Sequence, residues 1–304
     1  MPHALQAFVA IFVVGAVLRS VDLLTKSHAE RLAAFVFSIS LPATILISLD
    51  RIGFDAAAWK IPLSACLITL PLIALSWLSV RWLQWPRARQ GGFIVATGCI
   101  NSVYFSYPVT LATFGEEGLG QAVLFDLGQT TLTLTIVYGL AAWYGGTSPT
   151  VWSPLVRFIS SPPLWALLII LGLKGLGLTL PAWAHLALTP LHLTTTPLAS
   201  LVLGLSITPA AVRRQLPFAM LGAALRMGGG LALGLTAVRV LDLAALQRAV
   251  VILVSAMPSA VTAVIFATET KLDEELVASI VALSICVGIA FLPWLPQLSP
   301  LLIG

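Results

Sequence analysis

The sequence predicts an all-α integral membrane protein: ten transmembrane helices in two inverted five-helix repeats, with the fourth and ninth helices broken and crossing at prolines. Three observations predict it. Hydrophobic residues fill 59% of the 304 positions and charged residues only 9%, whereas a soluble domain carries about 25% charge. Apolar runs recur ten times, and about 20 such residues cross roughly 30 Å of hydrocarbon as a helix. The second five runs echo the first five. Pro42 in LPATILISL is followed 20 residues later by Pro62, and Pro197 in TPLASLVLGL is followed 20 residues later by Pro217, so a shift of 155 superposes the pairs. Pro108 and Pro258 match at a shift of 150. A repeat of five spans is odd, so its second copy enters the membrane upside down, and inverted repeats with prolines inside their spans are secondary-transporter architecture.

The first span, 4–24, has no Lys or Arg before it and no small-residue cleavage site after it. It reads as a retained helix and not as a signal peptide. Spans two and three, 30–49 and 57–84, carry Pro42 and Pro62, and the segment LQWPRARQGG at 83–92 makes a basic turn. The fourth span, 92–114, contains NSVYFSYP. Pro108 removes a donor and frees the carbonyl of Tyr104, while Asn101 and Ser102 place polar groups near mid-membrane, where they are costly if unpaired. The fifth span, 118–144, puts Asp126 and Gln129 one helical turn apart on one face. A carboxylate inside a span is a functional candidate by default. Asp126 is also near enough to the outer end of its span for water to reach it as a structural group.

Residues 145–161, GGTSPTVWSPLVRFISS, connect a first repeat (1–144) to a second (162–304). The sixth and seventh spans, 162–181 and 189–210, are short or threonine-rich. The eighth, 216–240, holds Arg226 eleven residues in, too deep to snorkel. It is expected to pair with helix carbonyls or with Asp126, or to touch substrate. The ninth span, 245–268, repeats the fourth with Ser255, Pro258, Ser259 and Thr262. If both helices unwind at their prolines, positive half-helix amino ends meet near the bilayer centre and attract an anion without a fixed cation. The tenth span is 276–297. Three cysteines lie inside spans without metal spacing, and the four histidines sit at span ends without clustering.

Charge sets the orientation. With the amino terminus outside, Arg19, Lys26, Arg31, Arg81, Arg87, Arg89, Arg157, Arg213, Arg214 and Lys271 fall on the cytoplasmic side. Arg51, Lys60, Lys174, Arg239 and Arg248 fall outside. This asymmetry places both termini outside the cytoplasm, in the cell's inner membrane. Trp59, Trp82, Trp85, Trp143, Trp152, Trp183 and Trp294 lie near span ends, where an aromatic belt sits. The net charge of +4 is thus accounted for by topology, and no nucleic acid is expected as a partner.

Four segments resemble the auxin efflux carrier family. That family's fourth-span pattern is close to NTGFLGLP followed by FG, and here NSVYFSYP (101–108) precedes FG at 114–115, with both glycines replaced, by Val103 and Ser106. SPPLWALLIILGL (161–173), TPLASLVLGLSI (196–207) and AMPSAVTAVIFATE (256–269) follow in family order. The resemblance implies a scaffold domain of spans one, two, six and seven, often a homodimer interface, and a transport domain made of the rest. It further implies a small organic anion such as malonate or malate as substrate, with Asn101, Pro108 and Pro258 shaping its site. Ser102, Ser255 and Gln129 join them as substrate-site candidates, and Asp126 and Arg226 as coupling candidates, with protons as a partner. No metal or cofactor is expected. A sodium-coupled symporter of the bile-acid transporter type is the rival reading, although the ninth span offers only hydroxyls and carbonyls to such an ion. A channel ranks lower. An enzyme is disfavoured, since no base can be paired with a nucleophile at one depth.

Overall fold

The computed structural model describes residues 3–53, 58–146, 156, 159–206 and 215–295. Most of the connection expected at 145–161 lies outside these residues, as do Trp152, Arg157, Arg213, Arg214 and the carboxyl terminus. Among the described residues every regular element is helical, and the extended backbone forms one isolated antiparallel bridge, Ile100 with Ser259.

The helices are α1 (His3–Ser20), α2 (Lys26–Phe35), α3 (Leu41–Arg51), α4 (Lys60–Trp82), α5 (Arg87–Gly98), α6 (Tyr107–Leu132) and α7 (Tyr138–Gly145). After the connection come α8 (Pro162–Gly175), α9 (Ala182–Leu205), α10 (Leu216–Ala224), α11 (Gly230–Leu241), α12 (Ala245–Ser255), α13 (Thr262–Thr270) and α14 (Glu274–Phe291). Wide π-type turns join α2 to α3, lead into α6, and join α6 to α7 and α10 to α11. Among the described residues, seven helical stretches are long and apolar enough to cross a bilayer: His3–Ser20, Ser27–Arg51, Lys60–Trp82, Ser102–Gly145, Ala182–Leu205, Leu216–Leu241 and Glu274–Trp294. Pro162–Gly175 and Ala245–Ser255 are apolar but shorter. The 44-residue stretch Ser102–Gly145 would be about 66 Å long as one helix, twice a bilayer's core. It is broken at Gly115, where φ is 68° and ψ −163°, a backbone that glycine adopts freely and other residues resist. That break lies at the boundary expected between the fourth and fifth spans.

The chain divides into two compact units. The first comprises Met1–Trp59, Val103–Leu124 and Ile159–Ile207. It therefore holds the expected scaffold helices and, in addition, the segment around Pro108. Here α1 lies against α9 at two glycines: a Cβ on Gly15 would collide with the Leu201 carbonyl, and one on Gly204 with the Phe12 carbonyl. Small residues permit this approach. The contact between α3 and α9 is polar. Thr195 Oγ1 donates to the Ser40 carbonyl at 3.0 Å, Thr44 and Thr195 hydroxyls meet at 2.7 Å, and those of Ser40 and Thr194 at 2.9 Å. His192 was expected at a span end. It instead lies buried inside α9, its Nδ1 3.2 Å from Thr44 Oγ1 and its Nε2 3.3 Å from Glu116, which Arg51 also pairs with at 3.2 Å. The seventh helix begins at Ala182, seven residues before the apolar run at 189, which is why the sequence misplaced it. Nearby Asp50 binds His185 Nε2 at 2.9 Å and accepts from the Leu180 amide at 3.1 Å.

The second unit comprises Lys60–Ser102, Phe125–Phe158 and Thr208–Gly304. Its apolar core includes Ile68, Leu72, Phe93, Val95, Val277 and Ile280, each fully buried. Asp273 caps α14 by accepting from the Leu276 amide at 3.0 Å. At one end of the unit, Arg89 stacks over Phe218 at 4.4 Å and Trp85 at 5.0 Å, and Arg87 over Trp143 at 4.5 Å. These arginines and tryptophans were assigned from sequence to a membrane boundary.

Candidate functional site: the paired helix interruptions

Both interruptions lie in the second unit. Helix α5 stops at Gly98, and Cys99–Asn101 are non-helical before the π-type turn Ser102–Ser106. Helix α12 stops at Ser255, and α13 begins at Thr262. The two extended pieces run antiparallel and are stapled by main-chain bonds: Asn101 N to Pro258 O at 2.9 Å and Ala260 N to Cys99 O at 3.0 Å. The Ser284 hydroxyl accepts from Ser259 N at 3.1 Å. Buried backbone groups in lipid must be satisfied internally, and two breaks that pair with each other meet that demand.

Each interrupted helix exposes four carbonyls at its carboxyl end, and here all eight are accounted for. At α5, the Cys99 amide donates to Val95 O at 3.2 Å, Ser259 Oγ to Ala96 O at 2.5 Å, Arg226 Nη1 to Thr97 O at 3.3 Å and Gln129 Nε2 to Gly98 O at 3.1 Å. At α12, Ser255 Oγ donates to Ile252 O at 2.8 Å, the Ala256 amide to Leu253 O at 3.2 Å, the Met257 amide to Val254 O at 3.1 Å and Arg226 Nη2 to Ser255 O at 2.5 Å. Arg226 thus serves both ends. Of the alternatives left open by the sequence, its observed bonds are those to helix carbonyls. Its side chain is completely buried, and its Nε has no hydrogen-bond partner among the described residues.

The other candidates divide into two groups. Asn101, Ser102, Gln129, Ser255 and Pro258 belong to the second unit with Arg226. Asn101 Nδ2 reaches Ser259 O at 3.4 Å, a long bond. Ser102 is buried, and its hydroxyl has no partner among the described residues. The amide of Gln129 is fully used: Nε2 also reaches Thr133 Oγ1 at 3.1 Å, and Oε1 accepts from Thr69 Oγ1 at 2.5 Å. Asp126 is buried on α6, one turn before Gln129. Pro108 belongs to the first unit.

The expectation that the fourth helix breaks at Pro108 needs correcting. The break falls seven residues upstream, at Cys99–Asn101, and Pro108 is the second residue of α6. Pro108 directly follows the π-type turn Ser102–Ser106, where the helical hydrogen-bond ladder is already irregular. Pro258, by contrast, lies inside its break. The two prolines are therefore not equivalent.

Sequence reasoning missed Thr69, Ser284, and the glycines that admit α12. Gly230 and Gly234 lie four and eight residues after Arg226, on its face of the helix. A Cβ on Gly230 would collide with the Ser255 carbonyl and the Arg226 guanidinium, and one on Gly234 with the Ser255 hydroxyl. The spacing R-x3-G-x3-G was a readable sign of close helix approach. Among the described residues no group of three or more His, Cys, Asp or Glu side chains could hold a metal ion. Chemically, the arrangement neutralises the negative ends of two helices and leaves a buried hydroxyl and a guanidinium N–H without partners among the described residues.

Comparison with known proteins identifies the family. A family model described as membrane transport protein matches the chain twice, over residues 3–150 and 148–295. An uncharacterized transporter of Methanothermobacter thermautotrophicus is 30% identical over 291 residues, covering 93% of each chain. Another, of Methanocaldococcus jannaschii, is 27% identical over 277 residues, covering 88% of this chain and 89% of its own.

Proposed function

This chain belongs to the membrane transport protein family, the auxin efflux carriers, and on that premise we propose that it is a secondary carrier moving a small organic anion by alternating access. It is a multi-pass membrane protein, which we place in the cell's inner membrane with both termini outside the cytoplasm. We read its helices as ten spans in two inverted repeats, the fourth being α5 with the segment up to Gly115 and the ninth being α12 with α13.

Two observations support the repeat. The family model matches once per half. Contacts of α9 with α3 and the turn before it also lie close to the 155 offset of the proline pairs: Thr195 with Ser40 at 155, Thr194 with Ser40 at 154 and Thr195 with Thr44 at 151. Residues near a pseudo-twofold axis meet their own equivalents in this way.

The observation that carries the substrate reading is the capping of all eight carboxyl-end carbonyls. Once those negative ends are neutralised, the amino end of α13 and the Ser102 hydroxyl, which has no partner among the described residues, are left to act locally, and both favour an anion. A carboxylate is the class that such donors fit. Asn101 and Pro258, bonded through the main chain, would set the width of the site. The first unit, with α1, α3, α8 and α9, serves as scaffold and dimer face, and the second carries substrate.

Proteoliposomes containing the purified protein test the proposal. A carrier takes up a radiolabelled dicarboxylate such as malonate with saturation and shows counterflow against unlabelled substrate. Uptake that rises linearly with concentration, without counterflow, would indicate a channel and overturn it.

A further inference from the structure

The Arg226 side chain is fully buried, yet its observed bonds are to main-chain oxygens, Thr97 O and Ser255 O. These belong to the last turns of the two interrupted helices. A helix carboxyl end carries roughly half a negative elementary charge, so two ends facing one point sum to about one. A single guanidinium balances them. Helix α11 is shaped for this arrangement, since Gly230 and Gly234 leave room for Ser255 and for the guanidinium. Carbonyl oxygens converging on one buried positive charge are also what a bound alkali cation would require.

We infer that Arg226 is a built-in cation of the crossing, a positioning residue that holds the place and charge a bound alkali ion would otherwise supply between the carboxyl ends of α5 and α12. The charge replacement itself rests on geometry alone. Its consequence for coupling rests on the carrier reading: a site that already contains its cation needs no sodium to assemble, which sets this chain apart from a sodium symporter sharing a crossed-helix plan. The fork shape of arginine matters as well, because Nη1 and Nη2 each reach a carbonyl of a different helix, whereas a lysine ammonium would have to reach both from a single nitrogen.

The test uses the full-length protein in detergent, with the cation alone as probe, so it does not depend on knowing the substrate. Wild type should melt at the same temperature in sodium and in choline chloride of equal ionic strength, and 10 mM guanidinium should not stabilise it. Arg226→Ala should melt lower, and millimolar guanidinium should raise its Tm by at least about 3 °C by filling the vacated place. A side chain that merely fills space would not be rescued in this way. If Arg226→Ala cannot be purified, Arg226→Lys decides: a Tm below wild type and indifferent to sodium supports the inference. Stabilisation of wild type by sodium over choline overturns it. So do an Arg226→Ala variant as stable as wild type, guanidinium acting equally on both proteins, and an Arg226→Lys variant as stable as wild type. Malonate counterflow, measured separately on wild type, reports on the carrier reading, so failure of one reading is distinguishable from failure of the other.

Discussion

At the scale of single residues, the structure sorts side chains that looked alike in the sequence. Asn101 and Gln129 are both amides inside spans; Gln129 bonds Gly98 O, Thr69 and Thr133 with both ends of its amide, whereas the Asn101 Nδ2 bond to Ser259 O is long at 3.4 Å. Gln129→Ala should therefore destabilise the protein, by about 1–3 kcal/mol for each buried partner left unsatisfied, as a lowered Tm would show. The main-chain N–H of Asn101 bonds Pro258 O at 2.9 Å, and alanine keeps that bond. Asn101→Ala should leave Tm nearly unchanged and weaken substrate affinity about tenfold, which is about 1.4 kcal/mol. A lower Tm with unchanged transport per folded molecule would make Asn101 a structural residue. Asp126→Asn, which mimics the protonated acid, should abolish accumulation driven by an imposed proton gradient while preserving counterflow. Accumulation equal to wild type would remove Asp126 as the coupling group. The sequence could flag Asp126, Gln129 and Arg226 because polar groups in apolar spans are conspicuous. It could not say what each one touches: Arg226 is bonded to carbonyls 129 and 29 residues away, and a main-chain oxygen leaves no mark in the sequence.

At the scale of elements, the interruptions were foreseeable and their positions were not. Proline signals that a helix is stressed, but the break goes where the freed backbone finds partners. For the fourth helix that is the Cys99–Asn101 stretch opposite Pro258–Ala260, upstream of the proline that flagged it. The π-type turn between them, Ser102–Ser106, adds a further departure from regular helix that composition does not announce. The glycines of α11 give the element-level prediction. Gly230→Ala drives a methyl into the backbone oxygen of Ser255, which cannot rotate away, and should cost about 1–3 kcal/mol. Gly139→Ala in α7 has open space around its Cβ and should be neutral or stabilising by up to about 1 kcal/mol. Thermal melts of the two variants side by side check both values, and equal losses would show that the close approach of α11 and α12 carries no special constraint.

At the scale of the whole molecule, hydropathy and composition were enough to predict helices throughout, since lipid leaves the backbone few other options. Among the described residues seven stretches stand out by length alone; on the proposed ten-span reading, the fourth and ninth spans are cut into pieces, the sixth is short, and Ser102–Gly145 runs through Gly115. The surplus of basic residues on one side predicts termini outside the cytoplasm. A carboxyl-terminal alkaline phosphatase fusion should be active and a fluorescent protein fusion dark, and the opposite pair would invert the orientation. Chain order and packing order also disagree. Each compact unit takes helices from both halves of the sequence, the first from 1–59, 103–124 and 159–207, the second from 60–102, 125–158 and 208–304. During synthesis, therefore, neither unit can close while only the amino-terminal half has left the ribosome. The Thr97 carbonyl must wait for Arg226, and the hydroxyl of Thr44 for Thr195. A nascent chain stalled at residue 150 should remain open to protease at the connections between its membrane-spanning helices, and protection of those connections should appear in both units together once the second half has emerged.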